Sequence, residues 1–319
     1  MSGLLGFTDL FFAILPVFFM LGAGGIARRI DWITNAGEKT LLKLVVNILY
    51  PSFLFSVVSK NESLRTEGLI VSAVLTGFVF VMIGYAVFYG MAPLFGMKRN
   101  DERRSFSFTG GIYNYGYFAI PVCEPLFGMN TTGVLLVVSV GVELAMWSVG
   151  VLIISGEFNR NSLKRIISPP LMAIILAIPV NLLGLTEMIP GFLTESLELF
   201  GRCAIPIGLI MIGATIADLM SREPIFTRPS VAIGACITRL AVMPLILMSV
   251  YLLIPAPQPL REAALVHATM PCGVFPVVLA SVYGGRTDIA LRTVVPTCLL
   301  SLVTIPLWIQ VGLIWNGWN

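Results

Sequence analysis

Apolar stretches recur along this chain almost without pause, each about 20 residues long, which is the length a helix needs to cross hydrocarbon. With proline, glycine and charge clusters as punctuation, the pattern predicts helices over 8–28, 40–59, 68–92, 104–128, 131–155, 168–187, 192–218, 229–254, 261–284 and 289–315. Ten such spans make an all-α polytopic membrane protein. The longest connections, around 157–168 and 221–228, hold no more than about a dozen residues, so no hydrophilic domain interrupts the spans. The first apolar run starts near Phe7 with no basic residue ahead of it, unlike a cleavable signal, and is expected to remain in the mature protein.

Composition agrees: of 319 residues 57% are hydrophobic and 12% charged, with mean hydropathy +0.91, more apolar surface than a soluble domain of this size hides. The net charge of +3 gains meaning from its distribution. Loops after odd-numbered spans carry fifteen Lys and Arg, those after even-numbered spans only Lys60, Arg65 and Arg261. The positive-inside rule then puts the odd loops in the cytoplasm and both termini outside, as in a bacterial inner-membrane protein. The five cysteines all fall in apolar runs without CxxC spacing and read as small buried hydrophobes. No metal site, cofactor or nucleic-acid partner is expected.

Two runs break the pattern. The fourth contains "GGIYNYGYFAIP" (110–121) and the ninth "HATMPCGVFP" (267–276), both interrupted by glycine and proline at mid-depth. Pro121 and Pro276 stand 155 positions apart, and so do Pro51 and Pro206 in the second and seventh runs. That common offset predicts a duplicated five-helix unit, residues 1–155 and 156–319. An odd number of spans per unit makes the second copy enter the membrane upside down, the inverted-repeat plan of secondary transporters. Such proteins bind substrate near the midplane, where matching unwound segments line a cavity. Half-helix N-termini carry unpaired N–H groups and positive partial charge, which suits an anion and above all a carboxylate.

"NYGYFAIPVCEPLFG" resembles the Asn-x-Gly-aromatic-x-small-aliphatic-Pro motif of the auxin efflux carrier family, whose bacterial members are similar to malonate and other carboxylate permeases. "NILYPSFLF" is similar to that family's early proline motif and "TIPLWI" to its last span, so the resemblance covers the whole chain. It implies a crossover of helices 4 and 9 in a transport domain of helices 3–5 and 8–10. It also implies a dimerising scaffold of helices 1, 2, 6 and 7, and elevator-type alternating access. Tyr113 stands where a glycine commonly precedes the asparagine, and the long cytoplasmic loop of the plant members is missing.

Asn114 lies at the first break, where its amide can donate to a carboxylate without burying a full charge. The resemblance implies that this asparagine contacts the substrate carboxylate. Around it, Tyr113, Tyr115, Gly116 and Pro121 are expected to form one wall, with Thr269, Pro271, Cys272, Gly273 and Pro276 opposite, where freed amides near Cys272 and Gly273 act as donors. Glu143, near the middle of the fifth run, reads as a proton-coupling group, as the partner of Arg239 at similar depth in the eighth, or as both, since the two are compatible. Arg202, four residues before Pro206, either grips a second carboxylate or snorkels. His267, the only histidine, either tunes pH dependence or packs. The leading expectation is a carrier of small organic anions coupled to protons. Its alternatives are a sodium-coupled organic-anion or bile-acid type symporter and, more remotely, an intramembrane enzyme using Glu143 and His267.

Overall fold

The structure, a computed structural model, describes residues 7–156, 168–222, 227–252 and 256–317. The loop cations Arg160, Lys164 and Arg165 and the end of the 229–254 run lie outside the described residues. The described residues form α1 (Phe7–Arg29), α2 (Asn35–Leu44), α3 (Tyr50–Ser59), α4 (Leu69–Met91), α5 (Asn100–Gly111), α6 (Ala119–Ala145) and α7 (Val151–Ser155). They continue as α8 (Pro169–Leu182), α9 (Gly191–Arg222), α10 (Pro229–Ile237), α11 (Met243–Leu252), α12 (Gln258–Thr269), α13 (Phe275–Val282) and α14 (Thr287–Trp315). Single π-helical turns, Val45–Leu49, Met146–Gly150 and Thr238–Val242, join α2 to α3, α6 to α7 and α10 to α11. Among the described residues, seven helical stretches are long and apolar enough to cross a membrane.

Local chemistry sets the boundaries. Thr34 caps α2 by accepting from the Gly37 N–H at 3.1 Å, and Ser168 caps α8 ahead of Pro169 and Pro170, which need no N–H partner at the start of a helix. The stretch Ala119–Ser155 has 37 residues, about 55 Å of helix against roughly 30 Å of hydrocarbon. Gly128 divides it: φ 79° and ψ 177° leave the helical region, and only a residue without Cβ takes that angle cheaply. The pattern of apolar runs puts a boundary at this place too. α5 ends where Gly110 and Gly111 meet an extended Ile112, while α12 ends ahead of Pro271.

The helices pack in two groups. α1 lies along α9, and α3 packs on α8 and α9; α4 packs on α5 and α6, α12 on α6, α10 on α14, and α14 on α5, while α1 on α14 and α3 on α6 join the two groups. Glycines set the closest approaches. A Cβ at Gly24 would sit 1.9 Å from the Ile210 carbonyl oxygen and one at Gly213 2.0 Å from that of Leu21, so α1 and α9 touch backbone to backbone. Gly77 and Gly141 do the same for α4 and α6, at 2.0 and 1.9 Å from the carbonyls of Val138 and Val74. Small residues at facing positions are the usual means of tight helix packing in lipid, where no hydrophobic force draws helices together.

Side-chain hydrogen bonds follow the same grouping. In the first group Arg28 pairs with Asp218 and, at 3.0 Å, with Glu38, and Asn181 Nδ2 donates to the carbonyls of Val58, Ser59 and Asn61 at 2.7–3.1 Å. In the second, Arg228 pairs with Glu102 at 2.6 Å and Trp308 donates to the Leu240 carbonyl at 2.6 Å. Between the groups the contacts include stacked or edge-on rings, Tyr50 with Tyr117 at 5.3 Å and Phe18 with Phe118 at 5.7 Å. Asn61, just past α3, spans them by donating to the Asn130 carbonyl at 2.7 Å.

Candidate functional site

The two interrupted segments meet. Tyr113 and Cys272 face each other as an isolated antiparallel bridge in an otherwise helical setting. The Asn114 N–H donates to the Pro271 carbonyl and the Gly273 N–H to the Ile112 carbonyl, both at 2.8 Å. Proline at 271 contributes its carbonyl, and its missing N–H is not needed. Gly273 fits because a Cβ there would come within 3.3 Å of both the Tyr113 oxygen and the Pro276 ring. The Cys272 N–H reaches Thr297 Oγ1 at 3.4 Å, and Cys298 Sγ approaches the Cys272 carbonyl at 3.6 Å, so α14 backs the crossing.

This geometry corrects one expectation. The amides of Cys272 and Gly273 are not free donors, since the crossing uses them to hold itself together. Thr269 likewise donates its hydroxyl back to the Val266 carbonyl at 2.8 Å. Asn114 keeps a spare donor: the residue is 6% exposed, and Nδ2 has no partner among the described residues, as is also true of Tyr113 Oη and Arg239 Nη1 behind it.

The aromatics of the first segment go three ways. Tyr113 is fully buried, with its ring 4.9 Å from that of His267 and 5.2 Å beneath the Arg239 guanidinium, so it packs behind the crossing. Tyr115 donates its hydroxyl to Glu143 Oε1 at 2.7 Å. Tyr117 stacks on Tyr50 and fills a notch at Gly208 of α9, where a Cβ would lie 2.0 Å from its ring. Gly116 lies against the Tyr50 hydroxyl, which a Cβ would approach to 2.9 Å.

The charge pair read from depth is also corrected: Glu143 and Arg239 are not partners. Glu143 Oε2 accepts from Trp147 Nε1 at 2.9 Å while Oε1 takes the Tyr115 hydroxyl. Arg239 is fully buried and donates from Nε to the Met270 carbonyl at 2.7 Å and from Nη2 to the His267 carbonyl at 3.3 Å. Equal depth places two residues at one level of the membrane but says nothing of the face each occupies. The π turns, Thr238–Val242 holding Arg239 and Met146–Gly150 holding Trp147, shift that face further. His267 is fully buried, with its ring 4.9 Å from that of Tyr113.

Pro121 and Arg202 come together on the wall of a cavity of about 630 Å³, with Lys60, Glu124, Glu198 and Pro206. Lys60 and Glu198 form an ion pair with side chains 43% and 40% exposed. Asn47, at the position matching Arg202, instead donates to the Lys43 carbonyl at 2.7 Å and lines a different, apolar groove with Pro51. Sequence reasoning missed Tyr50, Gly208 and Trp147. Of these Trp147 was legible, because it stands four residues after Glu143 on the same helical face.

The sequence pattern of the family described as membrane transport protein matches residues 9–162 and 158–309. The chain belongs to this family. It is the auxin efflux carrier family that the Asn-Gly-Pro motif resembles. Two relatives in the membrane transport family are described as uncharacterized transporters. One, from Methanothermobacter thermautotrophicus, is 24% identical over 303 residues, covering 92% of this chain and 96% of its own length. The other, from Methanocaldococcus jannaschii, is 23% identical over 315 residues, again 92% and 96%. With its apolar helices, this membership makes the chain a multi-pass membrane protein, and family and relatives point to a transporter rather than an enzyme.

Proposed function

We propose that the protein is a secondary transporter for a small organic anion, a mono- or dicarboxylate, bound beside the crossing and moved by elevator-type alternating access. The reading is carried by Asn114, whose Nδ2 is buried without a partner while the neighbouring backbone amides are engaged. A buried donor left unpaired costs free energy, and a charged oxygen is the acceptor that gains most from it. Arg202 is exposed on the wall of the 630 Å³ cavity, which Pro121 of the first break also lines and Asn114 does not, and its planar fork suits a carboxylate there.

The proposed architecture has ten spans in two inverted five-helix units, 1–155 and 156–319, with α5 plus the start of α6, and α12 plus α13, as the broken fourth and ninth. The mutual bonds of the breaks support it, as do the segregated side-chain bonds. α1–α3, α8 and α9 are the scaffold, and the apolar groove beside Pro51, Leu193 and Phe200 is the face for a homodimer. Both termini lie outside the cytoplasmic membrane, so the cavity, whose rim carries Lys60, faces outward. Proton coupling runs through Glu143, whose partner Tyr115 belongs to the first break. Sodium coupling of the bile-acid type is the alternative.

The test is a thermal-shift screen of the purified protein with mono-, di- and tricarboxylates at several pH values, followed by counterflow of the best hit in proteoliposomes. Saturable stabilisation and saturable counterflow are expected. No response to any carboxylate, or unsaturable flux, refutes the reading.

A further inference from the structure

Half-helix C-termini and unwound carbonyls are where carriers of the broken-helix type coordinate the cation that accompanies their substrate. Here the C-terminus of α12 meets a guanidinium. Arg239 reaches the Met270 and His267 carbonyls from Nε and Nη2, at 2.7 and 3.3 Å, the first just past the end of α12 and the second also accepting from the Met270 N–H at 3.3 Å. The side chain has 0% exposure, and no carboxylate among the described residues lies within ion-pair distance of it.

A charge buried this way needs compensation from its surroundings. The negative end of the α12 dipole gives part of it, and the Tyr113 ring, 5.2 Å from the guanidinium carbon, gives more. The π turn Thr238–Val242 aims the side chain there. Tyr113 is one half of the bridge to Cys272, so the guanidinium touches both segments of the crossing, one through carbonyls and one through a ring.

We propose that Arg239 is a tethered cation, occupying permanently the place on the α12 carbonyls where a mobile coupling cation would bind, so that the anion site is assembled and charged without sodium. The inference deepens the transport reading and disfavours its sodium-coupled form. Lysine would keep the charge but lose the two-carbonyl fork. Alanine would take the guanidinium donor from the Met270 carbonyl and empty the buried space that the side chain fills.

The experiment measures the apparent unfolding temperature of the full chain in detergent, in sodium chloride against choline chloride at equal ionic strength, and with dilute guanidinium chloride. It is run on wild type, Arg239→Ala and Arg239→Lys. Wild type and Arg239→Lys are expected to be indifferent to exchange of sodium for choline. Arg239→Ala is expected to unfold at lower temperature and to recover, saturably, with guanidinium or sodium. Sodium stabilisation of wild type overturns the proposal, and so does an Arg239→Ala protein that folds yet responds to neither cation, or responds no more than wild type. Should Arg239→Ala fail to fold, Arg239→Lys and wild type still decide: a sodium response in either refutes it, and indifference in both upholds it. No carboxylate is added, so failure here leaves the carboxylate reading standing, and a failed counterflow assay leaves this result intact.

Discussion

Replacing Asn114 by alanine separates binding from folding more cleanly than any other single change at the crossing. The crossing is held by the main chain of residue 114, whose N–H donates to Pro271 at 2.8 Å, and alanine keeps that bond. The side-chain nitrogen bonds no described residue, so its removal leaves no protein acceptor orphaned. The stability cost is then that of a small buried truncation, about 1 kcal/mol. The binding cost is larger: a hydrogen bond from an amide to a charged carboxylate contributes about 1.5–3 kcal/mol, which at about 1.4 kcal/mol per decade is roughly a 10- to 150-fold weaker Kd. The assay titrates the best carboxylate from the thermal-shift screen against wild type and Asn114→Ala. The predicted outcome is a small fall in the ligand-free unfolding temperature together with that loss of affinity. Unchanged affinity refutes the role of the amide, and collapse of the ligand-free protein refutes the claim that the main chain holds the crossing.

Other perturbations follow from the same geometry. Glu143→Gln keeps an acceptor for Tyr115 or Trp147 but cannot titrate; uptake driven by an imposed pH gradient should be lost while counterflow persists, and a gradient response like wild type would rule out Glu143 as the coupling group. Gly141→Ala puts a Cβ 1.9 Å from the Val74 carbonyl oxygen, backbone that cannot step aside, and should cost about 1–3 kcal/mol in denaturant unfolding. Gly208→Ala puts a Cβ 2.0 Å from the Tyr117 ring, a side chain and not backbone, so transport rate should change more than unfolding temperature. Lys60→Ala removes a pair whose side chains are 43% and 40% exposed and should alter stability by less than about 1 kcal/mol, as a salt-matched melt would read.

The breaks were legible because glycine, proline and asparagine stand out within an apolar run, and the boundary at Gly128 because the run is too long for one crossing. Partnerships across helices were not. Hydropathy fixes depth but not the face a residue presents, so Glu143 and Arg239 looked like a pair when each had nearer partners. Asn181 shows the same limit: in the sequence it is a lone polar residue in an apolar helix, whereas in the fold its amide donates to the carbonyls of Val58, Ser59 and Asn61 at the end of α3. A side chain from a neighbouring helix that caps a helix end leaves no local pattern, because donor and acceptors are far apart in sequence. Arg239 and the end of α12 repeat that arrangement with a charge.

Where the polar bonds fall bears on how a crossing buried in protein can take part in transport at all. A break in a membrane helix frees carbonyls and amides that lipid cannot satisfy, so the broken segments must carry their partners with them if they move. Here they do: the two breaks bond each other, Arg239 and Thr297 bond the second, and Tyr115 ties the first to Glu143. All of these belong to α4–α7 and α10–α14 or the turns between them. The opposing surface touches that group where α1 packs on α14 and α3 on α6, and through the rings of Tyr50 on Tyr117 and Phe18 on Phe118, contacts without directional bonds. Asn61 does bond across, with its amide on the Asn130 carbonyl close to the Gly128 turn. Separating the two segments of the crossing would break the bonds between residues 112–114 and 271–273, whereas those bonds stay intact wherever α4–α7 and α10–α14 keep together.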